Sequence, residues 1–241
     1  MRDFNHFLFF SEQINEPQLF LDSSETHHAV NVLRLQTGDK FKATDGKGCI
    51  YTCVADSISG NVLTGTILEK QIHDRSISSI RVITGITDKE HFEELIMNCT
   101  ALGIHNITPA DTEFSQKSWW QKSWEKQYGR FRSKMISATK QSFFPFVPIL
   151  DTPATLAKIN FGESSSVFVA DPLGVPFQMI PDESLQQNIS CIVGPPGGFS
   201  KDEIDFFKEK QFRFIKIGPN RLRTELAVVA FCSQIIARQL R

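Results

Sequence analysis

No stretch of this sequence comes near the roughly 20 consecutive apolar residues of a membrane-spanning helix, and its start, Met1-Arg2-Asp3-Phe4-Asn5, lacks the basic-then-apolar layout of a secretory leader. No membrane association is expected, and the chain is expected to stay in the cytoplasm. Cysteine is scarce and unpatterned. Cys49, Cys53, Cys99, Cys191 and Cys232 make an odd set without a CxxC spacing, which argues against a disulfide framework and a structural zinc centre and leaves buried free thiols. His27-His28 has no companion ligands in sequence, so no metal site is expected. Charge of one sign is missing too: 26 basic residues stand against 27 acidic ones, and the isoelectric point of about 6.6 is not that of a strongly basic nucleic-acid binder. There is no Walker loop, because no Gly-Lys-Ser/Thr follows the glycines at 194–198, and their spacing fails the dinucleotide fingerprint.

What is present is an ordinary globular composition. With 241 residues, 41% apolar and 22% charged, the chain can bury the core of one large or two small domains. The charge is uneven locally. From Lys117 to Lys140 the basic residues are Lys117, Lys122, Lys126, Arg130, Arg132, Lys134 and Lys140, with Glu125 opposing them, and Trp119, Trp120 and Trp124 lie in the same stretch. Such a segment is either an amphipathic helix packing its tryptophans on a core or a surface that leaves one indole for base stacking, since Trp119 and Trp120 point about 100° apart on a helix.

The first 70 residues differ from the rest. A short helical patch, 27–35, puts Val30, Leu33 and Leu35 toward a core. β-rich runs then follow at 41–43, 50–55 and 62–68, separated by the turn sequences Asp45-Gly46-Lys47-Gly48 and Ser59-Gly60-Asn61. This predicts a small β-barrel-like domain over 1–72, ending near the polar segment 71–79. From Arg81 onward strands expected at 82–86, 104–108, 167–170, 189–193 and 214–217 alternate with helical patterns, the signature of βα units on a parallel sheet. Phe92, Leu95, Ile96, Cys99 and Leu102 share one helical face ahead of Gly103, and a second helix is expected over 119–141, ended by Pro145 and Pro148. The second domain is 73–241.

The last fifty residues carry the sharpest signals. A buried strand runs into Gly194-Pro195-Pro196-Gly197-Gly198-Phe199-Ser200. A capping box, Ser200 with Glu203, and a hydrophobic staple, Phe199 with Ile204, announce the next helix. The pattern repeats with a strand to Ile217, the loop 218–223, and a helix from Thr224. Strand, stiff Gly/Pro loop and capped helix make a ligand-binding edge. Arg223 and Glu225 at that helix start are either a structural ion pair or part of a site. Asp171-Pro172-Leu173-Gly174 reads as a turn at the carboxyl edge of the sheet, where ligands sit in open α/β folds.

With these residues in view the chain resembles the 16S rRNA uracil-N3 methyltransferases of the SPOUT superfamily. The matching positions run in order: His28, Val32-Leu33-Arg34, Gly38-Asp39, Lys89, Leu102-Gly103-Ile104, Ile107-Thr108-Pro109, Lys140-Gln141-Ser142, the loop Val193 to Ser200 with Glu203, and Ile217-Gly218-Pro219-Asn220-Arg221-Leu222-Arg223-Thr224-Glu225-Leu226-Ala227. The resemblance implies an α/β fold with a C-terminal trefoil-knotted domain after a PUA-like β-barrel, an exception to the rule against knots. It implies a homodimer that takes S-adenosylmethionine and acts on 16S rRNA or the small ribosomal subunit. The implied donor pocket is Ala170, Asp171, Val193, Gly194, Gly197, Gly198, Ile217, Gly218, Leu222 and Thr224. Arg223 and Glu225 would be catalytic, and Arg34, Lys89, Lys140 and Arg221 would contact RNA. The chain departs from the family at Asn31, Asn98, Ala101, Phe114, Pro196 and Leu226. These departures motivate two alternatives: methylation of another RNA position, or an inactive RNA-binding assembly protein that keeps the knot.

Overall fold

The computed structural model describes residues 3–74, 79–162, 166–185 and 188–240. They fall into two compact units, Met1–Arg75 with Ile136–Val147, and Ser76–Met135 with Pro148–Arg241.

The first unit holds β1 (Asp3–Phe10), β2 (Gln13–Asn15), β3 (Gln18–Leu21), α1 (Ser23–His27), β4 (Lys40–Thr44), β5 (Cys49–Ser59) and β6 (Val62–Ile72). The barrel-like unit expected from the sequence is a six-stranded sheet in the order β1-β4-β5-β6-β3-β2. Its ladders are antiparallel except that of β1 with β4. Alternation sets the faces: Phe41 and Ala43 are buried while Lys40 and Lys42 lie half-buried on the other side. The helical patch starts earlier than expected. Asp22 Oδ1 accepts from the Glu25 amide at 2.8 Å and caps α1, and a π turn over His28–Val32 follows. Leu35 is buried in the core that includes Phe9, Leu19 and Phe41, and Val30 and Leu33 pack against that core as their spacing required.

The segment Ile136–Val147 joins this unit, which the 1–72 boundary did not foresee. The turn after β4 explains it. Gly48, at φ +115°, has the Phe146 ring where a Cβ would stand, its amide donates to the Pro145 carbonyl at 2.9 Å, and the Val147 amide donates to Gly46 O at 2.8 Å.

The second unit contains β7 (Ile80–Gly85), α2 (Lys89–Ala101), β8 (Asn106–Asp111), α3 (Lys117–Trp120), α4 (Trp124–Ser142) as far as Met135, β9 (Ile149–Leu150), β10 (Ala154–Thr155), β11 (Ser166–Pro176), β12 (Ile189–Val193), α5 (Lys201–Glu209), β13 (Arg213–Lys216) and α6 (Thr224–Gln239). Its sheet runs β10-β8-β7-β12-β11-β13 with β9 beside β8, every ladder parallel. All five residues of β12 are buried, as a central strand covered on both faces requires. Because the strands are parallel, the segments after β7, β8, β11, β12 and β13 gather at one edge.

Two expectations are corrected here. The stretch 119–141 is not one helix: α3 ends at Trp120 and α4 begins at Trp124. The break lets Trp120 and Trp124 both be buried, while half-buried Trp119 packs on Phe92 and donates its indole N–H to Thr87 O at 2.8 Å. All three indoles thereby pack against the protein, two of them buried and Trp119 held by its hydrogen bond. Asp171–Gly174 is not a turn that ends a strand but a bulge within β11, whose pairing with β13 jumps from Ala170 to Val175. Gly174 is required there, since a Cβ would stand 2.5 Å from the Ile215 nitrogen. Cys53, Cys99, Cys191 and Cys232 are buried free thiols and Cys49 is half-buried. Among the described residues no helix is long and apolar enough to cross a membrane.

Candidate functional site

The carboxyl edge of the second sheet builds the site. The loop after β12 and the loop after β13 are tied by side chains: Thr224 Oγ1 donates to Gly194 O at 2.9 Å, and Arg221 Nη2 donates to Pro196 O at 2.8 Å. From inside α6, Gln234 Nε2 donates to Ile217 O at 2.9 Å. Ser200 caps α5 with the reciprocal Glu203 contact expected from sequence. Gly85 lies so close to Pro195 that no side chain fits between them.

Between the loops lies a cavity of about 280 Å³. Every residue expected in the donor pocket lines it except Gly197. Gly197 faces Phe114, whose Cβ would stand 2.7 Å from a Cβ at 197; glycine is needed there to seat that ring, not to wall the cavity. Gly198, at φ +78°, and Gly218 have nothing within 4 Å of where a Cβ would project. Sequence reasoning missed Pro172, Lys216 and Ala227 in the wall. They come from the β11 bulge, the end of β13 and one turn into α6, and only the assembled fold brings them together.

A second cluster sits at the start of α6. Arg223 is largely exposed, and its Nε lies 3.6 Å from Oε1 of buried Glu225. Opposite is His91 of α2, which the sequence reading did not single out. His91 Nδ1 lies 2.6 Å from Asp88 Oδ2, and its Nε2 lies 3.5 Å from Arg223 Nη1. Asp88 also caps α2, accepting the His91 amide on Oδ1 at 3.1 Å. The Asp88 hydrogen bond, followed by the charges of Asp88 and Glu225, holds His91 above the ordinary histidine value against slight desolvation and the Arg223 charge. The signal available in sequence was an N-cap Asp three residues before a His, which is common. Beside this cluster, Leu102, Leu226 and Val229 line a groove of about 410 Å³ between α2 and α6.

The residues expected at RNA are divided between the two units. Arg34 is exposed at φ +60° in the first unit, Lys89 opens α2 in the second, and Arg221, which lines the cavity, is engaged with Pro196. Lys140 is corrected: its ammonium pairs with the carboxylate of buried Glu25, which also accepts the Phe10 amide. A buried carboxylate demands that partner, so Lys140 is committed inside the protein.

Residues 74–236 match the family described as RNA methyltransferase domain, and residues 21–65 match RNA methyltransferase PUA domain. Two similar curated proteins are both named ribosomal RNA small subunit methyltransferase E. The one from Aquifex aeolicus is 27% identical over 231 residues, covering 94% of this chain and 97% of its own length. The one from Synechocystis sp. is 26% identical over 233 residues, covering 94% and 75%. A crystal structure of the enzyme of that name from Neisseria gonorrhoeae, bound to S-adenosyl methionine, has a TM-score of 0.83 at 21% identity, covering 96% of this chain and 97% of that one. The fold is accordingly that of the solved structure, the sheet of a PUA domain followed by the parallel sheet of an RNA methyltransferase domain. A paired-loop cavity at the carboxyl edge of that sheet, in a chain matched by the family over most of its length, makes this protein a member of the RNA methyltransferase family with its PUA domain at the amino-terminal end.

Proposed function

We propose that this chain transfers the methyl group of S-adenosylmethionine to N3 of a uridine in 16S rRNA of the small ribosomal subunit. The observation that carries the reading is the cavity between the loops after β12 and β13, with Arg223 beginning the helix that forms one of its walls. Its walls fit such a donor. Val193, Ile217 and Leu222 offer apolar surface for a flat base, and bare backbone at Gly194, Gly198 and Gly218 allows close approach to polar groups. Bound there, S-adenosylmethionine supplies an electrophilic methyl group on a positively charged sulfur. The names of the similar curated proteins support small-subunit RNA as the acceptor.

The remaining roles belong to side chains of this protein. Uracil N3 is flanked by two carbonyls, and negative charge spreads onto them as N3 loses its proton and becomes a nucleophile. The exposed Arg223 guanidinium stabilises that charge, and buried Glu225 orients it. Arg221 ties the two loops across the cavity through Pro196 O. The target base must be unpaired or extruded for N3 to be reached. Residues 1–72 would hold RNA, with Arg34 at a phosphate, and 73–241 would carry the transfer, with Lys89 adding a further phosphate contact. A homodimer belongs to the same reading, and analytical ultracentrifugation tests it directly. A cytoplasmic location follows from the substrate.

The test is calorimetric titration with S-adenosylmethionine, followed by transfer of labelled methyl to unmodified small subunits and mapping of the product base. Micromolar donor binding and 3-methyluridine are expected. A folded protein that shows no heat of binding, or that methylates a different atom, would overturn the reading.

A further inference from the structure

The transfer requires a place for the imide proton, and the cluster at the start of α6 provides one. This role presupposes the transfer to N3 of uridine proposed above. Asp88 Oδ2 lies 2.6 Å from His91 Nδ1. A carboxylate only accepts, so Nδ1 of the neutral ring carries the hydrogen and donates it. This tautomer leaves a lone pair on Nε2, which faces Arg223 Nη1 at 3.5 Å, and a guanidinium only donates. The ring is therefore held by a carboxylate on one side and presents a base on the other.

Position matters as much as chemistry. In uracil the N3–H lies between the two carbonyls, so a group that takes this proton must neighbour the group that holds a carbonyl oxygen. His91 and Arg223 are such neighbours, and both are open to an incoming base, with side chains 38% and 78% exposed. Glu225 is the competing acceptor, but its carboxylate is buried behind the guanidinium and only 8% exposed. The charged groups facing His91 are Asp88 from the cap of its own helix and Arg223 and Glu225 from α6.

We propose that His91, held by Asp88, is the catalytic base that accepts the N3 proton of the target uridine while Arg223 holds the adjacent carbonyl. As the bond from N3 to the methyl carbon forms, the carbon–sulfur bond breaks with its electron pair remaining on sulfur. The N3–H electrons stay on the ring and the proton goes to His91 Nε2. No further reactant is needed.

The first measurement is nitrogen NMR of the imidazoles in the ligand-free protein, with His91 assigned from His91→Gln. Neutral His91 is expected in the Nδ1–H form, reverting in Asp88→Asn to the Nε2–H form; asparagine retains the helix cap, so the fold is kept. The second is single-turnover methylation of small-subunit RNA against pH. His91→Gln is expected to lower the rate about 100-fold with the KM for RNA unchanged. That deficit is expected to shrink as pH rises and in RNA containing 5-fluorouridine, whose imide is more acidic and needs less help from a base. Structural damage would not be rescued by a more acidic base. An Nε2–H ring in the wild type, an unimpaired His91→Gln, or a deficit indifferent to 5-fluorouridine overturns the proposal. A wild type that binds the donor yet leaves N3 of uridine unmethylated overturns instead the reading beneath it, and this proposal with it.

Discussion

Two regions meet at the first turn of α6, and they are built from opposite materials. Toward the cavity the chain offers Leu222 and Thr224 with glycine backbone and apolar side chains. Toward α2 it offers Arg223 and Glu225, met by His91 and Asp88. Alternating residues thus serve two chemistries. A donor that already bears a positive charge is best held by carbonyls and apolar walls, whereas an acceptor that must lose a proton needs a cation and a base. Keeping them on separate faces lets each be altered without the other.

The sharpest way to break that division is at Gly218. Its φ is ordinary and the space beside it open, so Gly218→Val strains no backbone and sets its side chain at the cavity wall. Donor affinity should fall by roughly 100-fold in calorimetry, while the His91 imidazole signals stay in place. Gly198→Val is the poorer test, because φ +78° penalises any side chain whatever the cavity holds. On the other face, Arg223→Ala should leave donor binding unchanged and cost about 3 kcal/mol of barrier, roughly a 100-fold loss in single-turnover rate. If Arg223→Ala abolished donor binding, the two faces would not be separable.

The cavity face was far more legible in the sequence than the charged one. Gly194, Gly198 and Gly218 sit in loops with strong local grammar, where prolines, a capping box and a preceding buried strand all fix the geometry within a few residues. The Asp88–His91–Arg223 arrangement joins positions 132 residues apart through the packing of α2 on α6, and no local pattern encodes it. Gly197 misled for the opposite reason: its motif is local, but its neighbour, Phe114, is remote. Charge was the least informative signal. Lys140 stands in a basic run and yet neutralises Glu25, and Arg130 likewise pairs with Glu93 at 2.6 Å. A basic segment in sequence says nothing about which acids the fold will bring to it.

Thr224 is where the two faces share a residue boundary, and its hydroxyl ties the loops. Thr224→Val keeps the shape and leaves Gly194 O without that donor. Stability should drop by about 1 kcal/mol in denaturant titration, with a donor affinity several-fold weaker and His91 unaffected.

The smallest effect concerns pH, and it separates the faces by sign. His91 is held above its ordinary value by the Asp88 hydrogen bond, so its contribution to stability is present below the unfolded histidine value and is lost as pH rises through the folded one. Burial alone would raise Asp88, but the ring and amide of His91 carry it below the usual carboxylate range. Its contribution is present above the unfolded carboxylate value and lost as pH falls through the folded one. The pair therefore stabilises most in mildly acidic solution, by about 0.5 kcal/mol for so exposed a contact. Thermal melts of wild type and His91→Gln should differ there and converge in alkali. The difference between wild type and Gly218→Val should stay constant over the same range, because nothing titratable adjoins the missing Cβ. A His91→Gln difference that persisted unchanged into alkali would mean that the neutral ring's hydrogen bond, not its charge, is what Asp88 stabilises. The base would then be held as firmly when ready to accept a proton as after it has taken one.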